Sequence, residues 1–374
     1  MSISRYAGKI KIGIIFGGRS SEYEVSIVSA NSIINNLNKV KYQIYPIAIT
    51  KAGEWYQSKE AIEKLKNNSF SIKEKVWLSA DSTLIGLIRC CDKKIIKLDV
   101  VFPVLHGTYG EDGTVQGLLE LSNLAYVGST VLGSAIGMDK VIQKQLFERN
   151  KLPIIKYFYF NKSQWKINKK KIIIKIINYL GLPCFVKPAN LGSSIGISKV
   201  KTKSKLLPAI NLALQFDEKI LIEQSVENAR ELECAVLGNN IIKTSVVGEI
   251  MPSSEFYDYD AKYIDGKSKC LVPAKLTKKI SQKIRYLAKM AYQVACCQGM
   301  ARIDFLLGKD NEVYLNEINT IPGFTSISMY PKLWQGSGLS YRKLLDELIR
   351  LALERHQNKN KLKIFYNPKS QWYL

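Results

Sequence analysis

The chain has 374 residues, 46% of them hydrophobic, and carries 55 Lys and Arg against 32 Asp and Glu, a formal net charge of +23. This length suffices for two or three compact domains with a sizeable core. No uncharged apolar stretch reaches the ~18 residues of a transmembrane helix, and the N-terminus lacks the apolar core of a secretory signal. We therefore expect a cytoplasmic protein with no membrane partner. The seven cysteines, two adjacent pairs among them, fit small core residues in a reducing cytosol better than a zinc site.

The excess of lysine is also compatible with a protein that binds nucleic acid or anionic lipid. The lysines are spread, however, through 162–175, 199–205, 275–283 and 355–369 and are interleaved with Ile and Asn. All three residue types have A/T-rich codons, so mutational bias in an A/T-rich genome explains the charge more simply. We therefore expect no nucleic-acid partner. With only two histidines, the chain has little room for His-based metal or triad chemistry.

The predicted elements begin with an alternation of strands and helices. The first is a buried strand at 9–16, followed by a Gly-rich turn and an amphipathic helix. Further strands are predicted at 42–49, 98–105 and 125–128, with a helix at 114–121. This alternation predicts an open α/β sheet of about 135 residues.

Two further units of α+β type are predicted after this sheet. The second unit opens with a helix at 138–148. Strands are predicted at 157–160, 184–187, 195–200 and 219–223, with one more helix at 204–216. The third unit begins with strands at 231–237 and 242–249 and a polar loop at 251–274. A long helix at 276–297, a hairpin at 301–321 and a final helix at 341–356 follow, before a polar, basic tail. The predicted domains are therefore 1–137, 138–224 and 225–374.

The hairpin of the third unit predicts a metal site. Residues 301–307 and 313–321 read as short apolar strands joined by a polar turn. Such a hairpin brings Asp304 level with Glu317 and Asn319, and residues 317 and 319 point to the same face of their strand. Two carboxylates and an amide oxygen make the hard-oxygen site that Mg²⁺ prefers. A solvent-exposed acidic strand face is the alternative.

A glycine-rich loop of the second unit predicts a phosphate site. Residues 192–196 read Gly-Ser-Ser-Ile-Gly between two strands, and their backbone N–H groups are able to wrap phosphate oxygens. Lys187 ends the preceding strand and supplies a cation; Lys140 is a second candidate. No helix opening with Gly-Lys-Ser/Thr follows, so the loop is not a Walker loop. A plain hairpin is the alternative. Glu223, at the end of a strand, is placed to hold adenine or a ribose hydroxyl.

These pieces together resemble the ATP-grasp superfamily, and most closely the D-alanine–D-alanine ligase family. The resemblance runs from Gly13 to about Arg350. The motifs that carry it are GGRSSEYEVS at 17–26, LHGTYGEDG at 105–113, MDK at 138–140, VKP at 186–188, GSSIG at 192–196, FYDYDAKY at 256–263, RID at 302–304, NEINT at 316–320 and PGFTS at 322–326.

The resemblance implies a fold, a reaction and partners. The fold is an N-terminal Rossmann-like (pre-ATP-grasp) domain followed by two α+β subdomains that hold ATP between them. In the implied reaction, ATP phosphorylates the carboxylate of one D-alanine, and the amine of a second D-alanine displaces phosphate to give D-alanyl-D-alanine for peptidoglycan. The implied cofactors are ATP and two Mg²⁺ (or Mn²⁺) ions, and the implied assembly is a homodimer.

The resemblance also implies residue roles by matching positions. The residues implied in catalysis are Glu22, Ser193, Tyr263, Arg302, Gly323 and Ser328. Those implied in binding ATP are Lys140, Lys187, Ser193, Glu223, Glu231, Lys262 and Asn316. Those implied in binding the two amino acids are Glu22, His106, Arg302, Gly323, Ser328 and Met329. The implied metal ligands are Asp304, Glu317 and Asn319.

The polar segment 255–263 bears on the choice between related activities. The resemblance implies that it is a lid over the phosphates, and Tyr263 would meet Ser193 and Glu22 near the substrates. Ligases of this kind that use D-lactate typically lack this tyrosine, so its presence favours an amine as nucleophile. The alternatives are a ligase for D-lactate or D-serine, a nucleic-acid-binding protein, and a binding module that has lost catalysis.

Overall fold

The computed structural model of the chain describes residues 8–251 and 269–366. Its strands, in chain order, are β1 (Ile10–Gly17), β2 (Tyr42–Ile49), β3 (Trp55–Gln57), β4 (Val76–Leu78), β5 (Gly86–Arg89), β6 (Ile95–Lys97), β7 (Val100–Val104), β8 (Ala125–Tyr126), β9 (Tyr157–Asn161), β10 (Cys184–Pro188), β11 (Ser198–Val200), β12 (Lys219–Gln224), β13 (Arg230–Gly238), β14 (Lys243–Met251), β15 (Lys269–Leu271), β16 (Gly299–Leu307) and β17 (Val313–Asn319). Its helices are α1 (Tyr23–Asn36), α2 (Ala61–Asn67), α3 (Thr114–Leu121), α4 (Val131–Met138), α5 (Lys140–Arg149), α6 (Lys162–Leu180), α7 (Lys203–Ala213), α8 (Lys278–Val294), α9 (Met329–Gly336) and α10 (Tyr341–Lys359).

The N-terminal part is built around a five-stranded sheet of order β3-β2-β1-β7-β8. Strand β1 runs parallel to both β2 and β7, and its apolar residues are buried almost without interruption. A strand covered on both faces needs such a continuous apolar run, because neither face meets water. Helices α1 and α10 cover one face, while α3 lies over the other. The predicted open α/β sheet is confirmed.

The stretch between β2 and β7 folds into a small antiparallel sheet of order β4-β5-β6, preceded by the short helix α2. Val76 of β4 and Leu87 of β5 pack into the same core as Leu98 and Val101 of the main sheet. The small sheet therefore covers the face of the main sheet on which α3 lies. No element is predicted from the sequence between residues 53 and 97, where the three strands of this sheet are only three or four residues long.

The chain passes from the first unit to the second through two consecutive helices, where the sequence predicts a single helix at 138–148. Helix α4 ends at Met138 and helix α5 begins at Lys140. Asp139 lies between them, and its carboxylate accepts hydrogen bonds from the N–H groups of Val141 at 2.9 Å and Ile142 at 3.1 Å. An aspartate in this position caps the second helix, which fixes Lys140 as the first residue of α5.

The second unit is an antiparallel sheet of order β11-β10-β12-β9. Helices α6 and α7 pack on one face of it, where Cys184, Val186 and Ile222 join their core. Because side chains alternate along a strand, Lys187 and Glu223 lie on the opposite face. Helix α6 is absent from the sequence-based prediction.

The third unit is a five-stranded antiparallel sheet of order β15-β14-β13-β16-β17. Helix α8 covers one face with a stripe of buried residues, Ile284, Leu287, Ala288 and Ala291, at the spacing of an amphipathic helix. Helices α9 and α10 lie over the other face. The predicted hairpin is formed by β16 and β17.

Helix α10 continues to Lys359, three residues beyond the predicted end, and packs against α1 and the first sheet. This helix thereby joins the third unit to the first. Across residues 8–251 and 269–366, no helix combines the length and the apolarity needed to cross a membrane.

Candidate active site

A cleft of about 590 Å³ lies between the second and third units, and residues of the first unit also line it. All the predicted site residues within 8–251 and 269–366 line this cleft. They are Glu22, His106, Lys140, Lys187, Ser193, Glu223, Glu231, Arg302, Asp304, Asn316, Glu317, Asn319, Gly323, Ser328 and Met329. Lys262 and Tyr263 lie outside the described residues.

Glu22 lies between the glycine-rich turn after β1 and the start of α1. The hydroxyl group of Ser193 donates a hydrogen bond to Glu22 Oε1 and so connects the first unit to the second. A Cβ atom added at Gly107 or at Gly192 would lie 2.7 Å from Glu22 Oε2, closer than real Cβ atoms approach a neighbour. A larger residue at either position would therefore have to displace this carboxylate, and Gly107 also has a φ of +71° that favours glycine.

His106 is 4% exposed, and both of its ring nitrogens have protein partners. Its Nδ1 lies 3.0 Å from the carbonyl oxygen of Ile321, and its Nε2 lies 3.4 Å from the hydroxyl oxygen of Ser29. The N–H of Phe324 donates to the same hydroxyl oxygen at 3.3 Å. Burial lowers the pKa of His106, which favours the neutral ring. In this arrangement His106 holds the segment that carries Gly323.

Glu111 holds the same segment from the other side. Its Oε2 accepts a hydrogen bond from the N–H of Gly107 at 2.7 Å, and its Oε1 accepts one from the N–H of Ile321 at 3.1 Å. Burial raises the pKa of Glu111, and the nearby Glu22 raises it further. Glu111 is not among the site residues predicted from the sequence. An acidic residue inside a glycine-rich motif was the available signal.

Arg302 is fixed at the base of the β16–β17 hairpin by two carboxylates. Its Nε and Nη2 donate to the two oxygens of Asp304 at 2.7 Å and 2.6 Å, and Nε also lies 3.1 Å from Glu233 Oε2. Burial disfavours the charged guanidinium, but these carboxylates outweigh it and raise the pKa of Arg302. Arg302 therefore stays a cation in the cleft. Glu233, its second partner, was not singled out from the sequence.

Two lysines of the cleft reach it from different elements of the second unit. Lys140, the first residue of α5, lies with its Nζ 3.2 Å from Glu317 Oε2 and donates to the carbonyl oxygen of Leu191 at 2.8 Å. Lys187 extends from β10 and pairs with Glu223 of β12. The two cations approach the cleft between the glycine-rich loop and the acidic hairpin.

A third lysine, Lys144, lies behind Glu223 and is not among the site residues predicted from the sequence. Its side chain is 1% exposed and pairs with Glu223, whose side chain is 3% exposed. Burial raises the pKa of Glu223, but Lys144 and Lys187 outweigh it and lower that pKa to about 2. The pKa of Lys187 is raised, because the attraction of Glu223 and Glu317 exceeds the effect of its own burial. The lysine that follows Lys140 by one helical turn was the available signal.

The segment after β17 leads into the N-terminus of α9. Ser328 precedes this helix, and its hydroxyl oxygen lies 3.0 Å from the N–H of Thr325 and 2.8 Å from that residue's hydroxyl oxygen. Met329 is the first helical residue. The first N–H groups of a helix lack intrahelical acceptors and attract anions. This end of the cleft is therefore suited to a carboxylate.

Asp304, Glu317 and Asn319 offer a set of oxygen donors on the hairpin. Asp304 lies directly opposite Glu317, and Asn319 directly opposite Arg302, in the pairing of β16 with β17. Asn319 Nδ2 donates to Asp304 Oδ2 at 3.0 Å, so these side chains share one face. Such oxygens fit Mg²⁺ or Mn²⁺. Within the described ranges no group of three or more His, Cys, Asp and Glu is arranged to hold a metal, and the third donor of this set is an amide oxygen rather than a carboxylate.

Two sheets that face each other across a cleft, with lysines on one side and an acidic hairpin on the other, define the class of ATP-grasp enzymes. Solved structures agree. The D-alanine–D-alanine ligase of Coxiella burnetii superposes with a TM-score of 0.84 at 35% identity, covering 95% of this chain and 97% of that one. A D-Ala:D-Ser ligase of Enterococcus faecalis gives a TM-score of 0.82 at 40% identity, covering 92% of this chain and 99% of the other.

Within this class the chain belongs to the D-alanine–D-alanine ligase family. The family model of the D-ala D-ala ligase N-terminus matches residues 11–129, and that of the D-ala D-ala ligase C-terminus matches residues 146–350. A D-alanine–D-alanine ligase of Thermoanaerobacter sp. (strain X514) is 51% identical over 357 residues, which are 94% of this chain and 98% of that protein.

Proposed function

We propose that the protein is an ATP-dependent ligase that joins two D-alanines into D-alanyl-D-alanine, with ADP and phosphate as the other products. Its family membership supports this function, and so does one structural feature. The Glu22–Ser193 contact lies in the same cleft as Arg302 and the carboxylates of the β16–β17 hairpin. This proximity supports the proposal that an amino-acid site and a phosphate site lie side by side.

ATP binds across the second and third units. Lys140, Lys187 and the backbone N–H groups of the glycine-rich loop neutralise and orient the phosphates, and the sequence supplies Lys262 as a further cation. Phosphoryl transfer depends on alignment and charge compensation more than on a nucleophilic side chain. Glu223, Glu231 and Asn316 hold the adenosine end of the nucleotide. Glu231 lies on β13, the strand that pairs with β16 of the hairpin.

Asp304, Glu317 and Asn319 would hold Mg²⁺ or Mn²⁺, of which the family resemblance implies two ions. When bound, the metal offsets the charge of the transferring phosphate. The fit rests on the donor chemistry and on the direct pairing of Asp304 with Glu317 across the two strands. Lys140 and Arg302 contact these carboxylates and offset part of their negative charge.

The two amino acids occupy the end of the cleft where the first and third units meet. Glu22 binds the ammonium group of the first D-alanine, whose carboxylate oxygen takes the γ-phosphate of ATP. Ser328 and the N–H of Met329 bind the carboxylate of the second D-alanine and direct its amine at the carbonyl carbon. Arg302 and the N–H of Gly323 stabilise the tetrahedral oxyanion.

Attack of the amine forms the C–N bond, and collapse of the resulting oxyanion then breaks the bond from carbon to the phosphate oxygen. Phosphate leaves with the bonding electrons, and the attacking nitrogen gives its proton to water. His106 and Glu111 act on this step as positioning residues, because their contacts with Ile321 fix the segment that carries Gly323. Tyr263 lies outside the described residues, and the role beside Ser193 and Glu22 that the family resemblance implies for it stays a prediction. We further propose that the enzyme works in the cytoplasm as a homodimer.

Phosphate release from ATP and Mg²⁺ tests the proposal. The expected result is release that depends strictly on D-alanine, with the dipeptide detected by mass spectrometry. L-alanine, D-lactate and D-serine serve as competing second substrates. Release without D-alanine, or a product in which D-lactate or D-serine replaces the second D-alanine at neutral pH, would contradict the proposed substrate.

A further inference from the structure

Most of the net positive charge of the chain lies in one stretch. Between Glu148 and Asp217 there are thirteen lysines and Arg149, and there is no Asp or Glu. This stretch therefore carries +14 of the total +23. Codon bias accounts for lysines that are spread over the whole chain, but it does not account for the lack of acidic residues in one place.

Two helices of this stretch, α6 and α7, form the outer layer of the second unit. Helices α6 and α7 pack their apolar sides on one face of the β11-β10-β12-β9 sheet, through residues such as Trp165, Ile176 and Ile210. Lys187 and Glu223 lie on the other face of the same sheet and line the cleft. A ligand on the outer side of α6 and α7 would therefore leave the cleft open. We call the solvent side of these two helices the basic face.

The lysines of the basic face are exposed and have no acidic partner along either helix. They are Lys166, Lys169, Lys170, Lys171, Lys175, Lys203 and Lys205. In the described part of the chain none of the seven forms an ion pair with a carboxylate. Uncompensated cations this close together repel one another, and an anionic partner would relieve this repulsion.

Large apolar side chains stand among these lysines. Ile167 is 80% exposed, Ile174 is 55% exposed and Tyr179 is 54% exposed, all on α6. Lys170 and Lys171 lie one helical turn before Ile174, so cations flank an exposed aliphatic group. Exposed isoleucine gains nothing from the phosphates of a nucleic acid. It gains from an environment with hydrocarbon beneath an anionic layer.

We propose that the basic face docks on the surface of an anionic phospholipid bilayer. The lysines contact the headgroup phosphates, and Ile167 and Ile174 enter the interface. The expectation of no membrane partner rests on the lack of a transmembrane segment. Peripheral docking of this kind needs no such segment, so the two are compatible. The proposal does not depend on the ligase activity.

Co-sedimentation of the full-length protein with lipid vesicles tests the proposal. The vesicles are phosphatidylcholine alone or phosphatidylcholine with phosphatidylglycerol, at low and at physiological salt. Binding is expected only with phosphatidylglycerol and should weaken as salt rises. A K166Q/K170Q/K171Q variant should bind roughly 100-fold more weakly, since each lysine near the surface contributes roughly fivefold. Lys169 and Lys175 are kept, because they lie over the rings of Trp165 and Phe158.

The matched control removes three exposed lysines of α8 in a K278Q/K279Q/K289Q variant, which should bind as the wild type does. An I167S/I174S variant should weaken binding to vesicles without changing the charge. No binding to phosphatidylglycerol vesicles at low salt, or equal loss in both lysine variants, would overturn the proposal. So would wild-type vesicle binding by I167S/I174S together with tight binding of an RNA oligonucleotide. Ligase turnover without lipid should be unchanged in all three variants.

Discussion

Replacement of the buried Lys144 by methionine should destabilise the protein although this lysine lies behind the cleft. Breaking a buried ion pair by removing one partner costs about 3–5 kcal/mol. Lys187 remains beside Glu223 in the Lys144→Met variant and offsets part of the loss, so we expect about 3 kcal/mol. Against the effect of burial, Lys144 and Lys187 together lower the pKa of Glu223 to about 2 in the folded protein, the direction expected of a pair that stabilises the ionised carboxylate.

The sign of the pH dependence follows from this shift. The folded state lowers the pKa of Glu223, so its stabilisation is fully present above about pH 4.5 and is lost as the pH falls toward 2. The difference in stability between the wild type and a Glu223→Gln variant should therefore shrink through this range.

Urea denaturation of Lys144→Met, Glu223→Gln and the double variant at pH 7 measures the coupling directly. We expect a coupling free energy of about 2–3 kcal/mol. Lys219→Met is the matched control, because its ion pair with Asp139, at 2.5 Å, involves side chains that are 29% and 14% exposed. Its cost should lie within about 1 kcal/mol. A coupling near zero, or equal losses for Lys144→Met and the control, would refute the reasoning.

Three further changes probe the cleft itself. Asp304→Asn should abolish Mg²⁺-dependent phosphate release while circular dichroism shows a folded protein; wild-type rates would mean that the metal lies elsewhere. Glu111→Gln should lower kcat and cost about 1–3 kcal/mol in thermal unfolding, because an amide cannot accept from both backbone N–H groups. Gly192→Ala should raise the KM for D-alanine, because the added Cβ would lie 2.7 Å from Glu22. In the control Gly117→Ala the added Cβ meets no atom within 4 Å, so KM should be unchanged and α3 should be stabilised by about 0.5–1 kcal/mol. Equal kinetics in the two alanine variants would contradict this.

Strong local patterns made much of the fold predictable from the sequence. The apolar run of β1 and the polar turn between β16 and β17 are signals of this kind. The hairpin was the most informative case, because the pairing of Asp304 with Glu317 follows from strand length and turn position. The domain boundaries at 137/138 and 224/225 stay predictions.

Helix α6 was missed because its pattern is mixed. Its lysines read as dispersed charge, and its central Ile-Ile-Ile-Lys-Ile-Ile run favours a strand as much as a helix. The spacing of its buried residues, Ile172, Ile176 and Leu180, was the signal that could have identified it. Asn168 departs from helical geometry and interrupts this spacing toward the N-terminus of the helix.

The residues of the site could be predicted from the sequence only where they belong to a recognisable motif. Sequence spacing cannot show that Lys144 and Lys187 share Glu223, because the three residues come from α5, β10 and β12. The same holds for Glu111, which contacts the backbone of Ile321 across 210 residues of sequence. Such contacts depend on tertiary packing and leave no periodic trace in the chain.

The most direct test of the proposed ligase reaction follows oxygen atoms rather than rates. D-Alanine labelled with ¹⁸O in both carboxylate oxygens is incubated with ATP, Mg²⁺ and the protein, and the released phosphate is analysed by mass spectrometry. Transfer of the γ-phosphate to the carboxylate predicts one ¹⁸O atom in each phosphate, in step with dipeptide formation. Unlabelled phosphate, or label found in AMP, would contradict the proposed reaction.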